Sequence, residues 1–133
     1  MGKENFGYIG VSLAIAEIIG KGKPLALPKH LEYTLQAGRL SVFQGIHESI
    51  LIDSTYNAAP LSMRKIIGTS FTIRNTLYKD RPFWLVLGDM RELGDLTEKE
   101  HRLLAGYVSQ VADRVFLVGE QMTTHMADEL EKI

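Results

Sequence analysis

Residues 50–64 read ILIDSTYNAAPLSMR, and the fold turns on them. An apolar run ends in Asp53, a polar turn follows through Asn57, and Pro60 opens a helix. Proline suits a first helical turn because the N–H it lacks would have no partner there. The stretch therefore predicts a strand, a loop and a helix start, with a carboxylate at the strand's carboxyl end. In an open α/β sheet that edge is where ligands bind, and an aspartate at a strand tip can hold a ribose hydroxyl. The free N–H groups of a helix start also attract anions.

Working outward, RLSVFQ (39–44) and ESILID (48–53) are β-rich runs joined by Gly45, Ile46 and His47, which predicts a hairpin. Residues 61–77 begin as helix and are weakened by Gly68 and the β-rich run TSFTI at 69–73. PFWLVLG (82–88) is a continuous apolar run of the kind a parallel sheet buries on both faces. Residues 97–112 carry the clearest helix, with Thr97 and Glu100 spaced as a capping box. Its apolar stripe is Leu103, Leu104, Tyr107, Val108 and Val111. RVFLVG (114–119) reads as another buried strand, and 124–132 as a last helix. Towards the N-terminus, Ile9, Leu13, Ala16 and Ile19 have near-helical spacing until GKGKPL breaks the run, and 28–37 suits a short helix.

From Glu48 onward the order is strand, helix, strand, helix, strand, helix. That alternation predicts right-handed crossovers and an α/β, Rossmann-like, mainly parallel sheet flanked by helices, with the hairpin adding an antiparallel edge strand. Residues 1–37 form a helical N-terminal piece and 38–133 the sheet domain. The chain stops after a helix, so the sheet is expected to be incomplete at its C-terminal side.

At 133 residues with 45% apolar side chains, the chain holds one domain, or one domain and a piece of another. No window is long and apolar enough to span a bilayer. The absence of cysteine excludes disulfides, thiolate catalysis and zinc–thiolate sites, and suits a cytoplasmic protein. A net charge of −1 with dispersed Lys and Arg gives no nucleic-acid surface.

Asp53 admits two readings, a cap for its own turn or a ligand group. The segment LGDMRELG (87–94) repeats the pattern: Asp89 and Glu92 follow a strand, and Gly88 and Gly94 permit tight turns. Standing alone it would be a solvated connection, but two such loops at one sheet edge favour reading that edge as a binding cleft. Other features fail. GKGKP (20–24) has no Ser or Thr after its lysine and no strand before it, so it is not a phosphate loop. His30, His47, His101 and His125 lack metal-ligand spacing. His101 is expected on the polar side of its helix, in a structural hydrogen bond. The methionines read as core filler.

Taken together, GR at 38–39, IDSTYNAAP at 52–60 and LGDMRELG at 87–94 resemble the C-terminal domain of the Mur ligases, in the branch that adds D-alanyl-D-alanine. Residues 38–119 carry the likeness. Ala59 stands where the family's pattern has a second asparagine, and Thr55 precedes the tyrosine. His101 fits a family histidine, and Ala105 replaces the glycine after it. Residues 4–20 are similar to the last helix of the family's central domain, with Asn5 the one match among the three positions of its usual pattern.

The resemblance implies a Rossmann-like domain of an ATP- and Mg2+-dependent amide-bond ligase of peptidoglycan synthesis. Its small-molecule substrates would be a UDP-muramyl peptide and D-alanyl-D-alanine. It places Arg39 on the ATP phosphates, Asp53 on the ribose, Asn57 and Pro60 on the nucleotide side, and Asn5 near the adenine. Asp89, Met90 and Glu92 would face the incoming dipeptide. The phosphate loop, the metal ligands and the catalytic groups belong to the family's other domains, so the chain reads as a fragment inactive by itself. Two alternatives stand beside this one. The first is a related ligase adding a single amino acid, of another Mur, folylpolyglutamate or cyanophycin type. The second is a non-catalytic α/β binding module.

Overall fold

The structure, a computed structural model, describes residues 3–21 and 36–133. It divides into two units, Met1–Thr34 and Leu35–Ile133. In the first, helix α1 spans Lys3–Ile19. Leu13, Ala14, Ala16 and Glu17 are good helix formers, and the Gly20 N–H closes the last turn on the Ala16 carbonyl at 2.8 Å. Most of the short helix expected at 28–37 lies outside the described residues.

The second unit begins with the expected hairpin. Strands β1 (Ser41–Gln44) and β2 (Ile50–Asp53) pair antiparallel, Ser41 opposite Asp53 and Gln44 opposite Ile50. The loop closes through the Gly45 N–H on Ser49 O at 2.8 Å and the Ser49 N–H on Ile46 O at 3.0 Å. Helix α2 then runs unbroken over Pro60–Leu77, so neither Gly68 nor the TSFTI run weakens it. Two observations explain the correction. Met63 and Ile67 are buried in the core. Thr72 donates its hydroxyl to the Gly68 carbonyl at 2.8 Å, which turns a β-prone side chain back onto its own helix. A Cβ at Gly68 would press on the Tyr107 hydroxyl, so this glycine permits helix packing.

Strands β3 (Trp84–Gly88) and β4 (Arg114–Val118) pair in parallel, joined by helix α3 (Thr97–Val108) in one βαβ unit. Asp113 sets their register: its N–H donates to Phe83 O at 2.9 Å, and its carboxylate accepts the Phe83 N–H at 2.6 Å. The capping box at Thr97 does not form. A 3-10 turn, Gly94–Leu96, runs directly into α3, so Leu96 and Thr97 are already helical and no extended cap residue exists. Thr97 donates its hydroxyl back to Gly94 O at 2.7 Å instead, and Glu100 pairs with Arg64 at 2.6 Å. The last helix starts at 120, earlier than expected. It passes through a π turn, Met122–Met126, into α4 (Ala127–Leu130), and the wider turn puts both methionines into the core.

The expected continuous Rossmann-like sheet is absent among the described residues; two separate two-stranded sheets stand in its place. The physical reason lies in coverage and pairing. Buried residues of α2, α3 and the last helix join one cluster with Leu85 and Leu87 of β3. The opposite face of β3 and β4, carrying Trp84, Val86, Phe116 and Val118, is exposed. A parallel sheet grows when helices cover both faces, and here they cover one. The runs at 82–88 and 114–119 are thus half-buried strands, in which alternate residues face inward. Strand β2 meanwhile spends its ladder on β1.

Candidate functional site

Two loops leave the carboxyl ends of β2 and β3, as the sequence pattern predicts. The first is built on Gly38. Its left-handed backbone (φ +76°) lets its carbonyl accept the Tyr56 N–H at 3.1 Å, and a Cβ there would stand 3.0 Å from that same nitrogen. This close approach brings the 38–41 and 53–56 segments together, and the Arg39 guanidinium stacks over the Tyr56 ring at 3.9 Å. Among the described residues no carboxylate pairs with Arg39, so its N–H groups remain available to an anion.

Asp53 fulfils its structural reading and keeps an oxygen spare. Its Oδ1 accepts the Thr55 hydroxyl at 2.7 Å and the Thr55 N–H at 3.0 Å. Those bonds, the hydroxyl first, hold its carboxyl below the usual range, against a small opposing effect of burial. Oδ2 has no partner among the described residues. Asn57 is exposed, and Pro60 is the first residue of α2. The N-cap, Ala59, has no side-chain acceptor, so only half a capping box forms: the Ser62 hydroxyl accepts the Ala59 N–H at 3.1 Å. Asn5 sits in α1, but its side chain lies outside the described residues.

The second loop borders an open groove of about 410 Å3 lined by Asp89, Arg91, Glu92, Thr97 and Gln121. That volume suits a small molecule. Asp89 accepts the Met122 N–H at 2.8 Å, and a Cβ at Gly119 would collide with its carboxylate, so the close approach requires glycine. Met90 points its side chain into the core, and its N–H donates to His101 Nε2 at 3.2 Å. Glu92 is exposed and adopts a left-handed backbone at φ +62°. Such a conformation in a non-glycine residue costs on the order of 1–3 kcal/mol and tends to mark functional loops. Arg91 has no ion-pair partner among the described residues, whereas Arg64, Arg74 and Arg81 each have one and Arg102 has three.

The groove and the Asp53 turn stand at strand tips of two separate sheets, so the single sheet edge expected to join them in one cleft is absent among the described residues. The groove is lined from the 89–97 segment and Gln121 alone. Groups of three or more His, Asp or Glu able to hold a metal are absent among the described residues. His101 is completely buried, contrary to the expected polar side. The signal was present in the spacing: His101 lies three residues before Leu104 and seven before Val108, on the stripe that faces inward. Leu103, placed on the expected stripe, is exposed. Tyr56, Thr55, Gly119 and Gln121 were not foreseen, because their roles arise from contacts distant in sequence or from a turn's exact geometry.

The fold and its strand-tip loops define an α/β domain with one βαβ unit. Residues 38–133 match the family described as Mur ligase, glutamate ligase domain; the chain belongs to that family. Over 71 residues it is 39% identical to the UDP-N-acetylmuramoyl-tripeptide–D-alanyl-D-alanine ligase of Bacillus subtilis (strain 168). The matched stretch is 53% of this chain and 15% of that ligase's length. No solved structure matches. No helix among the described residues is long and apolar enough to cross a membrane.

Proposed function

We propose that this chain is the domain of a Mur-type ligase that completes an ATP site and receives the amine substrate, D-alanyl-D-alanine, for addition to a UDP-muramyl peptide. The observation that carries the nucleotide half is an Asp53 whose Oδ2 has no partner among the described residues, in the same turn whose Tyr56 ring carries the Arg39 guanidinium. A carboxylate oxygen accepts a ribose hydroxyl, and a guanidinium grips phosphate oxygens in pairs. Asn57 and Pro60, four and seven residues beyond Asp53, would lie on the nucleotide side, and Asn5 would add an adenine contact. ATP, when bound with Mg2+, supplies the phosphoryl group that activates the muramyl carboxylate. The metal's ligands would come from outside the described residues.

This chain's own residues bind and orient. The groove at 89–94 presents acidic groups suited to an incoming ammonium and a basic one, Arg91, suited to the dipeptide's carboxylate. Catalysis here is positioning and electrostatics, with no nucleophile of the domain's own. ATP and UDP-linked substrates are cytoplasmic compounds, which sets the proposed location.

Ligation by a full-length ligase carrying this domain, assayed with ATP, UDP-muramyl tripeptide and D-alanyl-D-alanine, tests the reading. Arg39→Ala and Asp53→Ala are expected to raise the KM for ATP at least about tenfold, the loss of a charged hydrogen bond or two. Unaltered ATP kinetics in both variants would remove the assignment. A panel of single amino acids in place of the dipeptide addresses the second reading, which the family's glutamate-ligase description favours. A third reading, a binding module without ligation, predicts nucleotide uptake and no product.

A further inference from the structure

We propose that His101 is the positioning residue of the acceptor groove: a neutral imidazole that grips the Met90 backbone and thereby fixes where Asp89 and Glu92 stand. The inference rests on the reading of that groove as the acceptor site. His101 is fully buried, so both ring nitrogens must be satisfied by protein. Nδ1 lies 2.7 Å from Thr97 O, and a carbonyl only accepts, so Nδ1 carries the proton. Nε2 is then a lone pair, and it accepts the Met90 N–H at 3.2 Å. One tautomer satisfies both contacts. The neighbouring His125 ring stands 6.4 Å away, centroid to centroid, and shares no hydrogen bond with His101 among the described residues.

The adjoining residue is pinned from the other side, Asp89 by the Met122 N–H over Gly119. Residues 89 and 90 are therefore clamped between α3 and the turn after β4, while 91 and 92 project free of such anchors. Glu92 holds a left-handed backbone immediately beyond the clamp. A strained residue persists only where its surroundings over-determine it, and the His101–Met90 bond is the nearest buried restraint. His101 touches no substrate. It acts through the loop.

Two variants separate this role from packing. His101→Gln brings a carbonyl to the place of Nε2 and can still accept from Met90. His101→Asn reaches the place of Nδ1 and keeps Thr97 alone. Met90 amide hydrogen exchange and D-alanyl-D-alanine titration, each followed by NMR, are the readouts. Gln is expected to retain a protected Met90 amide and near-native dipeptide affinity. Asn is expected to expose that amide and weaken the dipeptide roughly tenfold or more, the cost of misplacing a first contact, with ATP affinity unchanged. Equal behaviour of the two variants overturns the proposal. So does a wild-type 15N spectrum in which the ring proton sits on Nε2, a measurement that needs no variant to fold. If Met90 protection follows the Gln and Asn pattern yet the wild type takes up no dipeptide, the strut stands and the acceptor reading fails.

Discussion

The loop after β3 and the loop after β2 both end a strand in an aspartate, yet they are held by opposite means. Asp89 and Met90 are tied to groups far away in sequence, the Met122 N–H and a buried His101. Asp53 is tied to Thr55, two residues on, and Arg39 rests on Tyr56, which is 61% exposed. The first loop inherits the rigidity of the core. The second is made of local, solvent-facing contacts that survive or yield independently of it.

The largest expected effect breaks the rigid half. Leu104 is buried at the centre of α3's inward stripe, and Leu104→Ala is expected to cost about 2–5 kcal/mol in urea unfolding. Met90 and Met122 amides should lose exchange protection in that variant, while the Gly38–Tyr56 contact keeps its own. Gly119→Ala strikes the clamp itself. A left-handed backbone at φ +109° and a Cβ driven into Asp89 predict a loss of about 1–3 kcal/mol, read by thermal melting. Asp89→Ala combined with it should recover part of that loss; full additivity would refute the clash.

Arg64 and Glu100 join α2 to α3 at 2.6 Å, and so link the segment that starts at Pro60 to the helix that carries His101. Arg64 is 38% exposed, so solvent screening limits the pair to about 0.2–1 kcal/mol in a double-mutant cycle, less at high salt. The smallest effect sharpens the yielding half. The Thr55 hydroxyl and N–H lower the Asp53 carboxyl from its ordinary value. A group depressed in the folded state stabilises above its unfolded value, and that contribution is lost as pH falls through the folded one. Asp53→Asn should erase this acid-side slope in a melting-temperature series, lowering the neutral-pH melt slightly and leaving the melt at the lowest pH nearly unchanged. Asp128, lowered chiefly by Lys132 and then by Arg102, continues to supply such a slope in that variant.

Much of the site was legible because it is local. A strand ending in Asp53, a polar turn, and a proline opening α2 follow one another within fifteen residues, and each signal is short-range. The hairpin was legible for the same reason, even with His47 and Glu48 in left-handed conformations that no turn residue advertised. The expected stripe held Leu104 and Val108, which are buried, but also Leu103, which is exposed; His101, three residues before Leu104 and seven before Val108, lies on its buried side. The capping box failed because a pattern of residue types does not reveal the backbone that enters the helix, and Gly94 delivers a 3-10 turn there.

By itself the sequence determined the order of elements, the two acidic strand tips and the family, since all three are written in local patterns of residue type. Tertiary structure alone decided that the helices gather on one face of β3 and β4, that β2 joins no strand among the described residues beyond its hairpin partner, and that His101 reaches Met90 across eleven residues. Hydrophobic periodicity states which side of an element is apolar. Which neighbour covers that side is a competition among all the faces in the molecule, and no segment contains the answer alone.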